Sequence, residues 1–519
     1  MNYFHNLGLY FEFIVSKYGN STALKYKDKS LAYNELNGLV NQIANMLIKN
    51  KMQYNDVVAI FNNKEEYSYA TMLACLKLGL IYTNIDVDNP STRVESIFET
   101  AKPKLIISDG ILSDNLNKSI DNSGTQLINF ALNNCCLNDY DSENLNLTKT
   151  VISSSPAYIM FTSGSTGVPK GVTVSHANLL SFIGWSIEYY NITNIDIFAQ
   201  ISPMYFDNSV FDFYTAFFSG ATIVPIQKIV LNNPIELVSY IDSMKCTIWF
   251  SVPSLLVYLT TMRVLKKQVL QCIRIFTFGG EGYPKTELKK LFNIYSHSAQ
   301  IINVYGPTEG TCICSAYKIS SIDFDDMKVL SPLGEINKNF NYFILDENMN
   351  KVQYMEKGEL YLVGPNVALG YYNDFERTKE FFIQNPLQSN FKDMVYKTGD
   401  IVYEDQNHLL HFIGRGDNQV KHMGYRIELE EIEAKINSLE YVFECGVIYH
   451  RVKVNYGKIV AYISINNQLK IDEKDILYRL KKLLPTYMLP NIINFVYELP
   501  KNKNGKIDRK KLLQLSEEK

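Results

Sequence analysis

Apolar residues in the first 110 positions follow two rhythms. Leu36, Leu39, Val40, Ile43, Ala44 and Leu47 recur at three- and four-residue steps and fall on one face of a helix. Residues 56–61 run into a short unbroken apolar stretch, the pattern of a buried strand. Residues 69–78 read as a second helix, closed near Gly79. Residues 81–85 and 105–108 repeat the strand pattern. Helices alternating with buried strands predict a parallel sheet covered on both faces. Residues 110–150 are rich in Asn, Ser and Asp and weakly periodic, which predicts surface excursions.

Further along, strands end in polar turns. An apolar run from Tyr158 leads into Thr162-Ser-Gly-Ser-Thr-Gly167, and the apolar pattern resumes after Lys170 and Gly171. Residues 247–253 read as a buried strand, 273–281 as a strand ending in Gly-Gly, and 301–309 as a strand ending in Gly-Pro-Thr-Glu. In open parallel sheets ligands bind beyond the carboxyl ends of the strands, so these turns are candidate site segments. Residues 330–400 look β-rich, with hairpin strands at 341–346 and 358–364. Glycines flank Arg415 within 412–421, a composition that suits a hinge. Beyond it, 427–437 and 475–484 read as amphipathic helices, and 443–449 and 459–465 as strands. The expected fold is mixed α/β. A large N-terminal multi-sheet α/β core with a β-rich subdomain (1–416) precedes a small mobile C-terminal α+β domain (417–519).

Composition narrows the function. The 51 basic and 54 acidic residues leave a net charge of −3, which argues against nucleic-acid binding by bulk electrostatics. The eight cysteines contain no C-x-x-C, and Cys312-x-Cys314 has no metal-site spacing with the histidines. Reduced thiols in a cytoplasmic protein are expected. No signal peptide and no membrane-length apolar run is visible.

The loop after Tyr158 carries chemistry. Its glycines let backbone N–H groups approach an anion, while Thr162, Ser163, Ser165 and Thr166 add hydroxyls and Lys170 a charge. This suits a triphosphate, although no Lys-Ser or Lys-Thr pair ends the loop as in G-x-x-x-x-G-K-[ST]. Asp207 lies among aromatic and aliphatic residues and needs a cation or strong donors if buried, unless it is a helix N-cap. Pro307-Thr308-Glu309 reads as a helix start, itself an anion site. Asp400 follows Gly399 and reads as a turn residue on its own.

The stretch 158–172 resembles the phosphate loop of the adenylate-forming superfamily: acyl-CoA synthetases, firefly-type luciferases and the adenylation domains of nonribosomal peptide synthetases. Tyr305-Gly-Pro-Thr-Glu309, Gly370-Tyr-Tyr-Asn-Asp374, Tyr396-Lys-Thr-Gly-Asp400 and Lys506-Ile-Asp-Arg509 match further family motifs in order. The wording of 206–214 and 424–433 is similar to D-alanine–carrier-protein ligases. There are departures. Gly279-Gly280-Glu281 stands where those ligases often have Cys-Gly-Glu, and Leu80 and Asn84 replace a usual Gly and Pro.

The resemblance implies roles. Thr162, Ser163, Gly164, Ser165, Thr166, Gly167 and Lys170 would hold the ATP phosphates. Asn303, Val304, Tyr305, Gly306, Pro307 and Thr308 would complete the nucleotide site, with Tyr305 on adenine and Thr308 on the α-phosphate. Asp400 would take the ribose hydroxyls, with Gly414 and Arg415 nearby, and Glu309 would help hold Mg²⁺. Asp207 would pair with a substrate α-ammonium, which points to the amino-acid-activating branch. Phe206, Phe211, Gly279, Val304 and Cys312 would line the substrate pocket, with Asn208, Ser251, Phe276, Phe278 and Ile313. Lys506 would be catalytic, bridging the attacking carboxylate and the α-phosphate. Asp417 would be the hinge, and Gly424 would border the thiol channel.

These assignments imply ATP-dependent amino-acid adenylation and then transfer to the phosphopantetheine thiol of a carrier protein. D-Alanine is one candidate substrate. The chain ends after the lysine motif without a Gly-Gly-x-Ser attachment site, so the carrier is expected in trans. An acyl-CoA synthetase, an aryl-acid-activating ligase and a non-catalytic binding paralogue are the rival readings.

Overall fold

The computed structural model describes residues 4–132, 136–164, 167–453, 456–465, 471–501 and 507–517. Among these, three sheets build the larger part of the molecule. In one, strands Gln300–Tyr305, Ile275–Gly279, Ile248–Ser251, Ile197–Gln200, Thr222–Pro225 and Thr22–Lys25 run parallel in that order. In the second, Leu127–Asn129, Leu105–Ser108, Val57–Phe61, Ile81–Ile85 and Pro156–Thr162 run parallel, and Lys170–Ser175 turns back antiparallel. A shared core joins the two, drawing Val58, Tyr82, Tyr158, Phe198, Phe250 and Ile275 with helix Tyr33–Lys49. The third sheet is antiparallel and contains Asn341–Leu345, Gly358–Val363, Met394–Glu404 and Leu410–Arg415. The mixed α/β class and the β-rich part therefore agree with the sequence reading.

Several local expectations are corrected. Residues 110–150 are more ordered than their composition suggests. They hold helix Asp114–Ser123, capped by the Ser113 side chain, and edge strand Leu127–Asn129. Helix 427–437 begins only at Leu429, because Tyr425–Glu428 pairs as a strand with Gln419–His422. The helix expected over 475–484 spans Glu473–Leu480, started earlier by an Asp472 capping box. Thr308–Gly310 is a single 3₁₀ turn, so the anion site there is not a long helix terminus.

Residues from Val420 onward have their own core. Ile427, Ile432, Ile436, Val447, Ile459, Ile476, Leu480 and Ile493 pack together, with helix Leu429–Asn437 against strands Val442–Lys453 and Tyr456–Ile465. Each such burial contributes about 1.5–3 kcal/mol, which favours a unit that holds together alone. Limited proteolysis should nick near 414–418 and leave a folded large fragment. Cleavage confined to the chain ends would count against a separable lobe. Among the described residues, no helix is long and apolar enough to cross a membrane.

Candidate active site

The phosphate-loop candidate is a hairpin connection. Thr162 pairs with Lys170 across the antiparallel strands, so the loop begins and ends at one place. A Cβ on Gly164 would sit 2.0 Å from the Val168 carbonyl oxygen, and Gly167 has φ +81°, so both positions require glycine. The Thr162 hydroxyl is buried without a hydrogen-bond partner. Ser163 Oγ donates to the Arg426 carbonyl at 2.8 Å and accepts from the Glu428 N–H at 3.2 Å. The Gly164 N–H donates to Glu431 Oε2 at 3.1 Å. Ser165 and Thr166 lie outside the described residues.

Glu309 sits at the centre, fully buried. Its Oε1 accepts from the Tyr371 hydroxyl at 2.8 Å and lies 3.9 Å from Lys170 Nζ. Its Oε2 lies 2.7 Å from Arg426 Nη1. Burial alone would raise this carboxyl, but Arg426 and Lys170 pull it down to about 2. Burial, reinforced by the Arg426 charge, lowers Lys170 to about 8.

Asp207 opens the neighbouring cavity. Its Oδ2 accepts from the Thr308 hydroxyl at 2.6 Å, and no ion pair to it occurs among the described residues. Burial raises its carboxyl, against the pull of Thr308, Lys421 and Arg426. The residue precedes helix Asn208–Val210 but its side chain makes no cap bond, so the N-cap alternative fails. The cavity is lined by Phe206, Asp207, Asn208, Phe250, Gly279, Val304, Cys312 and Ile313, with Thr308 at its edge.

Three expected lining residues are displaced by strand alternation, which sends neighbours to opposite faces. Ser251 Oγ accepts from the Trp249 indole, and Phe250 faces the cavity in its stead. Phe276 packs outward against Trp249 and Tyr295. Phe278 borders the second cavity beside Tyr283. Phe211 is fully buried behind Phe250, with the rings perpendicular.

That second cavity takes Asn303, Val304, Tyr305, Asp400, Arg415 and Lys421. The Tyr305 hydroxyl donates to Asp400 Oδ2 at 2.5 Å, and Arg415 Nη1 donates to Asp400 Oδ1 at 2.7 Å. Arg415 Nε also reaches Asp417 Oδ1 at 2.9 Å. Lys421 Nζ lies 5.8 Å from the Tyr305 ring centre. Asn303 is partly engaged, donating to the Pro332 carbonyl at 2.7 Å. A Cβ on Gly306 would sit 2.2 Å from the Cys312 carbonyl, so the turn before Pro307 needs glycine, whereas Gly414 has open space around it. Gly424 reaches the mouth of the first cavity with φ +82°, donating its N–H to Glu281 Oε2 at 3.1 Å. Lys506 lies outside the described residues.

Among the described residues, the structure thus gathers Thr162, Ser163, Lys170, Asp207, Asn303 to Glu309, Asp400, Arg415 and Gly424 at or beside two adjoining cavities. Sequence reasoning missed Lys421, Arg426, Glu428 and Glu431, which enter from the small lobe, and Arg93, whose Nη1 holds Glu431 at 2.6 Å. The mixture of charges with Ile427, Leu429 and Ile432 was visible, but it reads equally as a solvated helix face.

The residues fit a nucleotide with a divalent cation. The loop offers an orphaned Thr162 hydroxyl and a glycine cradle, and a carboxylate already occupies the Gly164 N–H. Opposite them, Arg426 places a cation on Glu309. Carboxylate oxygen is a suitable ligand for Mg²⁺.

Comparison with known proteins gives a family match over most of the chain. The family model for the AMP-binding enzyme matches residues 11–372, and that for the AMP-binding enzyme C-terminal domain matches 431–506. Bacitracin synthase 1 of Bacillus licheniformis is 32% identical over 97% of the chain, which spans 9% of that much longer protein. The D-alanine--D-alanyl carrier protein ligase of Bacillus anthracis is 29% identical over 95% of the chain and 96% of its own length. Among solved structures, an artificially fused adenylation–PCP di-domain from Klebsiella oxytoca superposes with a TM-score of 0.82 at 22% identity. It covers 95% of this chain and 94% of its own.

Proposed function

The chain belongs to the AMP-binding enzyme family and is an adenylate-forming ligase, and from that premise we propose that it activates an amino acid and passes it to a carrier-protein thiol. The observation that carries this reading is Asp207, a half-buried carboxylate lining the cavity, with a hydroxyl donor and no ion-pair partner among the described residues. An α-ammonium supplies the missing charge.

In the first step a carboxylate oxygen of the amino acid attacks the α-phosphorus of ATP. A C–O–P anhydride forms and the bond to pyrophosphate breaks. The protein's part is placement and charge neutralisation. Asp207 orients the ammonium, and the Thr308 hydroxyl beside it directs the α-phosphate. Lys170, Thr162 and the loop N–H groups hold the leaving phosphates, and Lys506 bridges the two reactants. Tyr305, Asp400 and Arg415 position the adenosine. Glu309 would hold Mg²⁺, which neutralises phosphate charge when bound. In the second step a phosphopantetheine sulfur attacks the acyl carbon, the C–O bond breaks, AMP leaves and the thiol proton passes to solvent. Gly424 borders the thiol's path, and Asp417 is the hinge about which residues 417–519 move.

D-Alanine is one candidate, supported by the carrier-protein ligase relatives. Gly279, standing where such ligases often have Cys, leaves more room beside Val304. The test is pyrophosphate exchange into ATP over the twenty amino acids, D-alanine, aryl acids and fatty acids. Exchange should require an α-amino acid. Exchange driven by aryl or fatty acids alone would replace this reading with that of an acid-activating ligase.

A further inference from the structure

Strand Ile81–Ile85 of the second sheet lies beside Pro156–Thr162, the strand that leads into the phosphate loop. Asn84 sits near its carboxyl end, where a proline is usual, and is buried. A proline there would offer no side-chain donor. Asn84 Nδ2 donates to the Met204 carbonyl at 3.2 Å, and Asn84 Oδ1 accepts from Asn62 Nδ2 at 3.0 Å. Met204 belongs to the first sheet's side of the molecule. It lies on the segment that leaves strand Ile197–Gln200 and runs into Asp207.

Lys64 makes a second link of the same kind. Its buried ammonium donates to the carbonyls of Gln200 at 3.1 Å, Ile201 at 2.9 Å and Ile226 at 2.9 Å, one acceptor for each N–H. The turn that carries Lys64 is itself held. Asn62 Oδ1 accepts from the Lys64 N–H at 2.8 Å. Asp109 accepts from the N–H groups on either side, Asn63 at 2.8 Å and Glu65 at 3.0 Å. Lys64 has φ +66°, a left-handed value that a side-chain-bearing residue keeps only where its surroundings impose it.

Resting on the reading that Asp207 takes the substrate ammonium, we propose that Asn84 and Lys64 are positioning residues: they bracket residues 200–204 and so set Asp207 at the distance from the phosphate loop at which a substrate carboxylate meets the α-phosphorus. The two halves of the site stand on different sheets, Asp207 after the first and the loop after a strand of the second. The shared apolar core presses the sheets together, but burial has no direction. Hydrogen bonds fix both distance and angle. Asn84 borders the same cavity as Thr162 and Asp207, and its amide is already committed to Met204 and Asn62. It therefore acts through the Asp207 segment.

The test uses the full chain. Asn84→Leu keeps the side chain's size and removes the donor, and Lys64→Met, measured beside it, cuts the other arm. Pyrophosphate exchange is screened over the twenty amino acids and D-alanine and then followed with the one that the wild type uses fastest. Each variant should lose roughly 10–10²-fold at saturating substrates, the cost of a small misplacement, with ATP affinity by calorimetry unchanged. In an Asp207→Ala background the same substitutions should cost nothing further, because the group they place is gone. Full multiplicative losses in that background would mean a general structural role and overturn the inference. Amide hydrogen exchange reads the bracket without substrate. Residues 201–207 should exchange about tenfold faster in both variants. Unchanged protection there overturns the inference while the proposed function stands. If no amino acid drives exchange in the wild type, both fall.

Discussion

Asp207→Ala should lower amino-acid-dependent pyrophosphate exchange roughly 10²–10³-fold, the equivalent of leaving a buried charge unpaired at about 3–5 kcal/mol. The size follows from the site. Asp207 is half-buried and lines the cavity with Phe206, Phe250 and Cys312, so an ammonium bound there leaves bulk water for a largely apolar wall. Its own carboxyl is raised by burial and held only by Thr308 and the more distant Lys421 and Arg426. A bound ammonium therefore satisfies both groups, and removing either strands the other. ATP affinity should change little, since the phosphate loop and the Asp400 side of the site do not depend on Asp207. Asp207→Asn keeps the Thr308 hydrogen bond and loses the charge, so it should fall nearly as far. If the wild-type enzyme turns over the des-amino analogue as fast as the amino acid, the ammonium pairing is wrong.

How far this site could be read from the chain depends on the range of each interaction. The glycines at 164 and 167 and the strand-then-turn pattern at 301–309 are local, and local periodicity predicted them. The Asp207 problem was also legible, because a carboxylate between aromatic neighbours needs a partner wherever it lies. The pocket wall was harder. Phe250 and Ser251 differ only in which face of one strand they occupy, and a one-residue error exchanges them. Arg426 meets Glu309 across 117 residues of sequence, and nothing in the composition of 424–433 announces that its charges turn inward. Residues 110–150 were missed for another reason. Asn and Ser are poor signals of a helix interior, yet Ser113 caps one and Leu116 and Ile120 anchor it.

Lys506→Ala should depress adenylation roughly 10²–10³-fold, the range for deleting one charge-stabilising donor, and leave transfer from pre-formed aminoacyl-AMP nearly intact. Gly424→Leu should do the reverse. The two steps make incompatible demands on one lobe. Adenylation needs the Lys506 charge against the carboxylate and α-phosphate, whereas thiolation needs an open path for a thiol on a long arm. The arrangement described here presents the Gly424 face. Its N–H meets Glu281, and a Cβ at this position would sit 2.4 Å from Val252 Cγ1. With φ +82°, a leucine is disfavoured by its backbone as well as by its bulk. Leucine therefore expels this face from the site without touching the residues that bind ATP in the core. Asp417→Pro removes the carboxylate that grips Arg415 and fixes φ at the hinge, so it should impair one half-reaction far more than the other. The measurement is each half-reaction alone, on all three variants, beside the wild type. Equal damage to both steps by Lys506→Ala and by Gly424→Leu would mean that one fixed arrangement of the lobe serves the whole reaction.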